Sequence, residues 1–251
     1  MNDLEPLILF AVSLVANLFS AFSGGGAGLI QLPALIFLGL PFAIALATHK
    51  VASIALGIGA TVRHLREEAL EKRLALFILV TGVPGVVVGA NIILAVPERM
   101  AEIALGVLTA GLGLYSCMKQ DLGQSARPIN REGWGVWSGG MVVCFIGVLN
   151  GSLTSGTGLF VTLWLVRWFG LDYRRAIAYT LVLVGVVWNG TGAFTLGMLA
   201  EVRWSWLAAL LLGSLLGGYL GAHLAIKSGN RWIKRAFEAV TLLVGLKLIT
   251  G

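Results

Sequence analysis

The chain has 251 residues, of which 57% are hydrophobic, only 12% are charged and 34 are glycine. The charged share is about half the ~25% of a typical soluble domain. A chain of this length holds at most about ten membrane-spanning segments of ~20 residues with short loops. The composition therefore excludes an ordinary soluble domain and predicts a polytopic membrane protein embedded in the lipid bilayer.

Several function classes are disfavoured by what the sequence lacks. The net charge of +6 comes from basic residues scattered among short loops, so we expect no nucleic-acid partner. Cys117 and Cys144 lie in apolar runs without metal or redox spacing, and we expect neither a metal nor another cofactor. There is no P-loop, His/Glu zinc spacing or facing carboxylate pair, so we expect no enzyme.

Ten apolar segments follow one another along the chain. The first begins after Met1-Asn2-Asp3-Leu4-Glu5, which is no basic leader, so we expect this segment to be retained as a span. Two segments have only thirteen residues, about 20 Å of helix, which is too short for a ~30 Å hydrocarbon core. The predicted segments are 6–22, 28–40, 42–62, 74–94, 99–118, 134–150, 157–169, 175–197, 203–225 and 232–250.

If every segment crosses the membrane, including the two short ones, the basic residues of the connecting segments fall almost entirely on one side of it. Fourteen Lys and Arg residues lie in four connecting segments, 63–73, 119–133, 167–175 and 227–235. Only Arg99 and Arg203 lie in connections on the other side. Because positive charge marks the cytoplasmic side, we expect the four segments inside and both termini outside.

The two halves of the chain resemble each other at a shift of about 130 residues. The stretch 23–29 lies against 154–159, and Gly85, Gly89 and Gly113 match Gly217, Gly221 and Gly245 in order. Each half holds five segments, an odd number, so the second half enters the membrane from the opposite face. We predict an all-α fold of two inverted repeats, 1–118 and 134–251, joined by a cytoplasmic linker at 119–133.

A Gly-rich turn precedes each short segment, at 23–28 and at 151–158. A half-helix beginning there directs its free N–H groups and positive dipole end at a cavity. Such groups suit a small anion, although glycines also serve plain helix packing. From these turns we predict substrate contacts by Ser23, Gly24, Gly25, Gly26, Ser152, Thr154, Ser155, Gly156 and Thr157.

Lys50 is the only cationic residue well inside a complete span, and no acidic residue shares that span. A charge there faces a cavity or a partner, so the transported anion is its expected counter-ion. The alternative is that Lys50 reaches outward to the interface. His49 either carries a proton or hydrogen-bonds within the bundle. Further candidates for this cavity, or for hydrogen bonds between helices, are Thr48, Asn150 and Asn189.

Four stretches resemble the TauE/SafE sulfite exporter family, also called the four-toluene-sulfonate uptake permease family, and its YfcA-like branch. They are SGGGAGLIQLPALIFLGL at 23–40, ATHKVAS at 47–53, NGSLTSGTGLF at 150–160 and LLGSLLGGYLGAHLA at 211–225. His49 stands where the branch usually has Asn, and Ser155 replaces a proline. The second half reads AYTL at 178–181, where the branch tends towards a second Lys, so Lys50 has no cationic counterpart.

The resemblance implies a carrier of small anions in the bacterial plasma (inner) membrane. We expect a secondary transporter, an exporter of sulfite or an organosulfonate, with a homodimer as a possible assembly. The alternatives are a transporter of small carboxylates, which the same turns could bind, and a passive anion channel, which needs a continuous polar pore.

Overall fold

The computed structural model describes residues 4–67, 70–92, 98–153 and 156–250, and all regular structure in these ranges is helical. Six helical stretches there are long and apolar enough to cross a membrane, which confirms the predicted all-α membrane protein. The helices are α1 (Glu5–Ser23), α2 (Gly28–Phe37), α3 (Phe42–His64), α4 (Lys72–Ile92), α5 (Glu98–Met118), α6 (Gly133–Leu153), α7 (Thr157–Phe169), α8 (Tyr173–Tyr179), α9 (Asn189–Leu199), α10 (Trp204–Ser228) and α11 (Asn230–Thr250). Between α8 and α9 the helix continues without a break as a π-helix, Thr180–Trp188.

Both short helices are present, and α7 has the predicted bounds. Helix α2 ends at Phe37, three residues before the predicted end, because Gly39 adopts the left-handed conformation at φ 99°. The Gly39 N–H then bonds the Ile36 carbonyl and the Leu40 N–H bonds the Leu35 carbonyl, the pattern of a glycine-terminated helix. Helix α6 continues to Leu153, past the predicted end at 150, so the second Gly-rich turn is shorter than expected.

The matched glycines of the two halves lie in equivalent helix crossings. A Cβ atom on Gly217 of α10 would lie 2.5 Å from the Leu14 carbonyl oxygen of α1. A Cβ atom on Gly85 of α4 would lie 2.2 Å from the Cys144 carbonyl oxygen of α6. The close crossings α1–α10 and α4–α6 therefore both join one half to the other, and larger side chains would force them apart.

The four basic segments meet at one end of the bundle, which we call the basic end. Asn230 accepts a hydrogen bond from the Arg174 amide and donates one to the Gln124 carbonyl at 3.1 Å. Arg131 of the linker forms an ion pair with Glu71. Arg99 instead bonds the carbonyls of Leu248 and Ile249 at the far end of α11, where a cation complements the helix dipole. The structure thus groups the charges as the sequence predicts, and the sidedness in the membrane stays a prediction.

Cysteine labelling tests that sidedness. Gln124→Cys and Asn230→Cys, in a background without Cys117 and Cys144, should react with an impermeant thiol reagent only in inside-out vesicles. Glu201→Cys, in the exposed connection between α9 and α10, should react in intact cells. Reaction of Gln124→Cys and Asn230→Cys from different faces would contradict both the charge assignment and the hydrogen bond between these two residues.

Candidate functional site

The first Gly-rich turn meets the start of α7 backbone to backbone in the interior of the protein. A Cβ atom on Gly25 would lie 2.6 Å from the Leu159 amide nitrogen, at a φ of 148° that favours glycine. The Thr162 hydroxyl of α7 donates a 2.8 Å hydrogen bond to the Gly24 carbonyl. Only glycine at position 25 therefore allows the start of α7 to approach the first turn this closely.

A cavity of about 40 Å³ lies where the first turn meets α7. This is room for about three water molecules, or for a small oxyanion. Gly28 and Thr157, the first residues of α2 and α7, both line the cavity, so the positive ends of two helix dipoles lie beside it. The other polar lining residues are Ser20, His49, Ser53, Asn150, Thr180 and Asn189.

The Lys50 side chain is fully buried directly behind this cavity. Its ammonium donates to the backbone oxygen of Asn150 at 2.7 Å, to the Asn150 side-chain oxygen at 3.0 Å and to the Asn189 side-chain oxygen at 3.4 Å. A Cβ atom on Gly192 would lie 3.3 Å from the ammonium, so α9 packs tightly against it. The placement rules out outward reach to the interface, because the ammonium points into the bundle.

His49 is held on both sides by side chains. Its Nδ1 atom lies 3.0 Å from the Gln31 Oε1 atom of α2, and its Nε2 atom lies 3.2 Å from the Ser53 hydroxyl. The Asn17 amide donates to Gln31 Oε1 at 3.3 Å and to the Ser214 hydroxyl at 3.0 Å. His49 therefore belongs to a buried hydrogen-bond network that joins α1, α2, α3 and α10, and its ring rim reaches the cavity.

The π-helix forms one wall of the cavity. Thr180 begins it, Asn189 follows its last residue, and both line the cavity. A Cβ atom on Gly57 of α3 would lie 2.4 Å from the Gly185 carbonyl carbon, so the π-helix crosses α3 with almost no side-chain volume between them. Such wide-turn segments are rare and often lie at functional sites.

The structure brings together most of the predicted site residues. Gly25, Gly26, His49, Asn150, Thr157 and Asn189 line the cavity, with Lys50 behind Asn150 and Asn189. Gly24 and Gly156 are not in the lining, and each directly precedes a residue that is, Gly25 and Thr157. Thr154 and Ser155 lie outside the described residues.

Three predicted residues do not line the cavity. The Ser23 hydroxyl lies 2.8 Å from the Phe19 carbonyl oxygen, one turn back along α1, and 3.1 Å from the Gly25 carbonyl oxygen of the first turn. The Ser152 hydroxyl donates to the Val148 carbonyl, one turn back along α6. The Thr48 hydroxyl accepts a hydrogen bond from the Arg203 amide at the opposite end of the bundle from the basic end. These hydroxyls satisfy backbone groups of the fold.

Sequence reasoning missed Gln31, Ser53 and the pair Thr162–Thr180, whose hydroxyls are 2.9 Å apart. The sequence held a signal for two of them. Ser53 follows His49 by four residues and so shares its helix face. Gln31 is a polar residue inside an otherwise apolar short segment, which was a second available signal.

Comparison with known proteins identifies the family that the chain resembles. The model of a family described as sulfite exporter TauE/SafE matches residues 9–248. A probable membrane transporter protein of Haemophilus influenzae is 29% identical over 96% of this chain and 93% of that protein. The probable membrane transporter protein YfcA of Escherichia coli K12 is 26% identical, over 96% of this chain and 88% of its own. No solved structure matches the chain. The resemblance seen in the sequence is confirmed.

Gly25→Ala tests the contact between the first turn and α7. The added methyl would meet the Leu159 backbone, which cannot move as a side-chain tip can, at a strained φ. Overpacking of this kind costs about 1–3 kcal/mol, and the left-handed backbone adds to it. We expect a clearly lower melting temperature of the detergent-solubilised protein.

Gly190→Ala is the matched control, because nothing lies within 4 Å of its Cβ position in α9. Its melting temperature should equal or exceed that of the parent, since alanine is the better helix former. Equal melting of the two variants would argue against a direct contact between the first turn and α7.

Proposed function

We propose that this chain, which belongs to the sulfite exporter TauE/SafE family, is a secondary transporter that carries a small oxyanion out of the cell. We propose sulfite or an organosulfonate as the substrate and the bacterial inner membrane as the location. The observation that carries the proposal is a buried cation, Lys50, held only by neutral oxygens beside a polar cavity.

The electrostatics of Lys50 support an anion as the missing partner. A buried charge is costly unless it is paired, and among the described residues Lys50 forms no ion pair. The amide oxygens of Asn150 and Asn189 orient the ammonium and leave its net charge uncompensated. An oxyanion in the cavity would supply the opposite charge.

The helix starts support an oxyanion in particular. The dipoles of α2 and α7 add partial positive charge at the cavity. The Ser20 hydroxyl and the second N–H of the Asn150 amide can donate to oxygen atoms there, whereas the Ser53 and Thr180 hydroxyls donate to backbone carbonyls. The small volume favours a compact headgroup such as sulfite or a sulfonate. Transport and not covalent chemistry is the activity that we infer from this lining.

Export needs no further energy source in this proposal. An inside-negative potential drives an anion outward with about 2.3 kcal/mol per charge per 100 mV. We propose that the two halves are inverted repeats and that movement of one against the other, around the contact of the first Gly-rich turn with α7, alternates access to the cavity.

Counterflow in liposomes tests transport directly. With ethanesulfonate trapped inside, external labelled ethanesulfonate should accumulate transiently and saturably, because a carrier couples the two movements through one site. A panel of sulfite, sulfonates and acetate would then rank substrates. Flux that does not saturate and shows no counterflow would point to a channel, and preference for acetate would point to small carboxylates.

Lys50→Met should weaken anion binding while the protein still inserts. At an effective dielectric constant of ~20, a unit charge at roughly 6–10 Å contributes about 1.5–3 kcal/mol, which corresponds to a loss of about ten- to a hundredfold in affinity. Lys247→Met, an exposed residue near the end of α11, is the control and should bind like the parent. Calorimetric titration with the best anion of the panel measures both, and normal binding by Lys50→Met would place the site elsewhere.

Asn150→Asp separates the charge of Lys50 from its packing role. The new carboxylate keeps the shape of the residue and gives Lys50 an internal partner 3.0 Å away. The variant should melt no lower than the parent, yet lose at least about tenfold in anion affinity, because the charge is already neutralised. Unchanged affinity would mean that Lys50 is structural only.

A further inference from the structure

A second, larger cavity of about 480 Å³ opens at the basic end. It is built where three parts of the chain meet: the end of α3 with the loop after it, the linker, and the start of α8. Tyr179 lines this cavity, and the next residue, Thr180, lines the central one. The junction of α8 with the π-helix therefore separates the two cavities.

The walls of the basic-end cavity carry paired charges. Arg131 forms an ion pair with Glu71, and an Arg174 guanidinium nitrogen lies 3.7 Å from a Glu67 carboxylate oxygen. The hydrogen bond from Arg63, together with the nearby charges of Arg63 and Arg174, lowers the pKa of the Glu67 carboxyl, so Glu67 is ionised at neutral pH. All of these side chains are partly exposed, and such pairs are weak because solvent screens them.

Two buried nitrogen atoms of this cluster have no hydrogen-bond partner among the described residues. The Nε atom of Arg131 is buried and unpartnered, and so is the Nε2 atom of His64, whose side chain lines the cavity and is only 3% exposed. Buried polar groups in native proteins nearly always have a partner. An oxyanion would give the Arg131 N–H an acceptor, and would do the same for His64 in the tautomer that carries its proton on Nε2.

We propose that this cavity is a second anion site, a vestibule in which Arg131 and Arg174 exchange their carboxylate partners for an incoming sulfonate or other oxyanion. The proposal rests on the proposed function, since it assigns the vestibule to the same substrate class. Guanidinium groups suit it because their planar donors match the oxygens of such headgroups.

The exchange has a mechanical consequence. Glu71 is tied to the linker through its ion pair with Arg131, and to α8 through its amide, which donates a 2.7 Å hydrogen bond to the Tyr179 hydroxyl. An anion that takes Arg131 from Glu71 leaves the second of these bonds in place and breaks the first. Arrival of substrate thus weakens the link between the linker and the start of α4.

Charge-selective labelling of a cysteine in the vestibule tests this. Leu70→Cys lies in the lining between Glu67 and Glu71, and Ser125→Cys lies exposed on the linker outside it. Each is placed in a background without Cys117 and Cys144. An anionic methanethiosulfonate bearing a sulfonate and a cationic one bearing trimethylammonium are compared by their rates in detergent solution.

For each position we take the rate of labelling by the anionic reagent divided by that by the cationic reagent. This ratio at position 70, divided by the same ratio at position 125, should exceed one. Arg131→Gln and Arg174→Gln should each lower it about three- to tenfold, and Glu71→Gln should raise it by a similar factor. Arg131→Lys should keep the parent ratio, which a folding defect would not. Arg231→Gln, exposed at the same end outside the lining, should change nothing. Ethanesulfonate should slow the labelling of position 70 only.

The vestibule proposal is overturned if Arg131→Gln leaves the labelling ratio unchanged, or if Glu71→Gln lowers it. The labelling requires no transport, so the two proposals fail separately. If counterflow is absent while the labelling ratio responds to the variants as expected, the transport proposal fails and an anion-binding cavity remains. If counterflow is present while the ratio does not respond to the variants, only the vestibule proposal fails.

Discussion

The contact between the first Gly-rich turn and the start of α7 is the constraint on which the site depends. Gly25 brings the backbone of one half against Leu159 of the other, and Gly57 against Gly185 does the same for α3 and the π-helix. Neither contact tolerates a side chain. Both short helices begin beside this contact. The positive ends of two helix dipoles, the hydroxyls near them and the Lys50 ammonium are therefore held around the central cavity.

A carboxylate beside Lys50 would make a more stable protein and a worse anion site. Asn150 instead offers two neutral oxygens, one from its backbone and one from its side chain, and its amide nitrogen is engaged by the Thr157 hydroxyl at 2.9 Å. The amide is thereby held in one orientation, with its oxygen towards the ammonium. The positive charge of Lys50 therefore stays oriented but is not neutralised. The reversible binding of an anion that we propose requires such an arrangement.

The sequence was sufficient for the helices, the grouping of charges and the placement of Lys50, Asn150 and Asn189, because these follow from hydropathy, charge and local polarity. It was not sufficient for Ser23 and Ser152, whose hydroxyls bond a carbonyl one turn back. Whether a helical serine bonds its own backbone or a ligand depends on its rotamer, which no spacing reveals. The partnership of His49 with Gln31 likewise depends on how α2 and α3 are rotated against each other.

The second half contains a hydrogen-bonded pair at the same spacing, built from different residue types. Gln31 and His49 are 18 residues apart and joined by a hydrogen bond, and so are Thr162 and Thr180 in the second half. Each pair joins a short helix to the long helix that follows it. The residue after His49 is Lys50, whereas the residue after Thr180 is Leu181. The two pairs lie at the sequence shift of the predicted repeat, but only the first pair is followed by a charged residue. A single cation on one side of the cavity suits an anion with one strongly charged end better than a symmetric dianion, which is a further reason to favour a sulfonate headgroup.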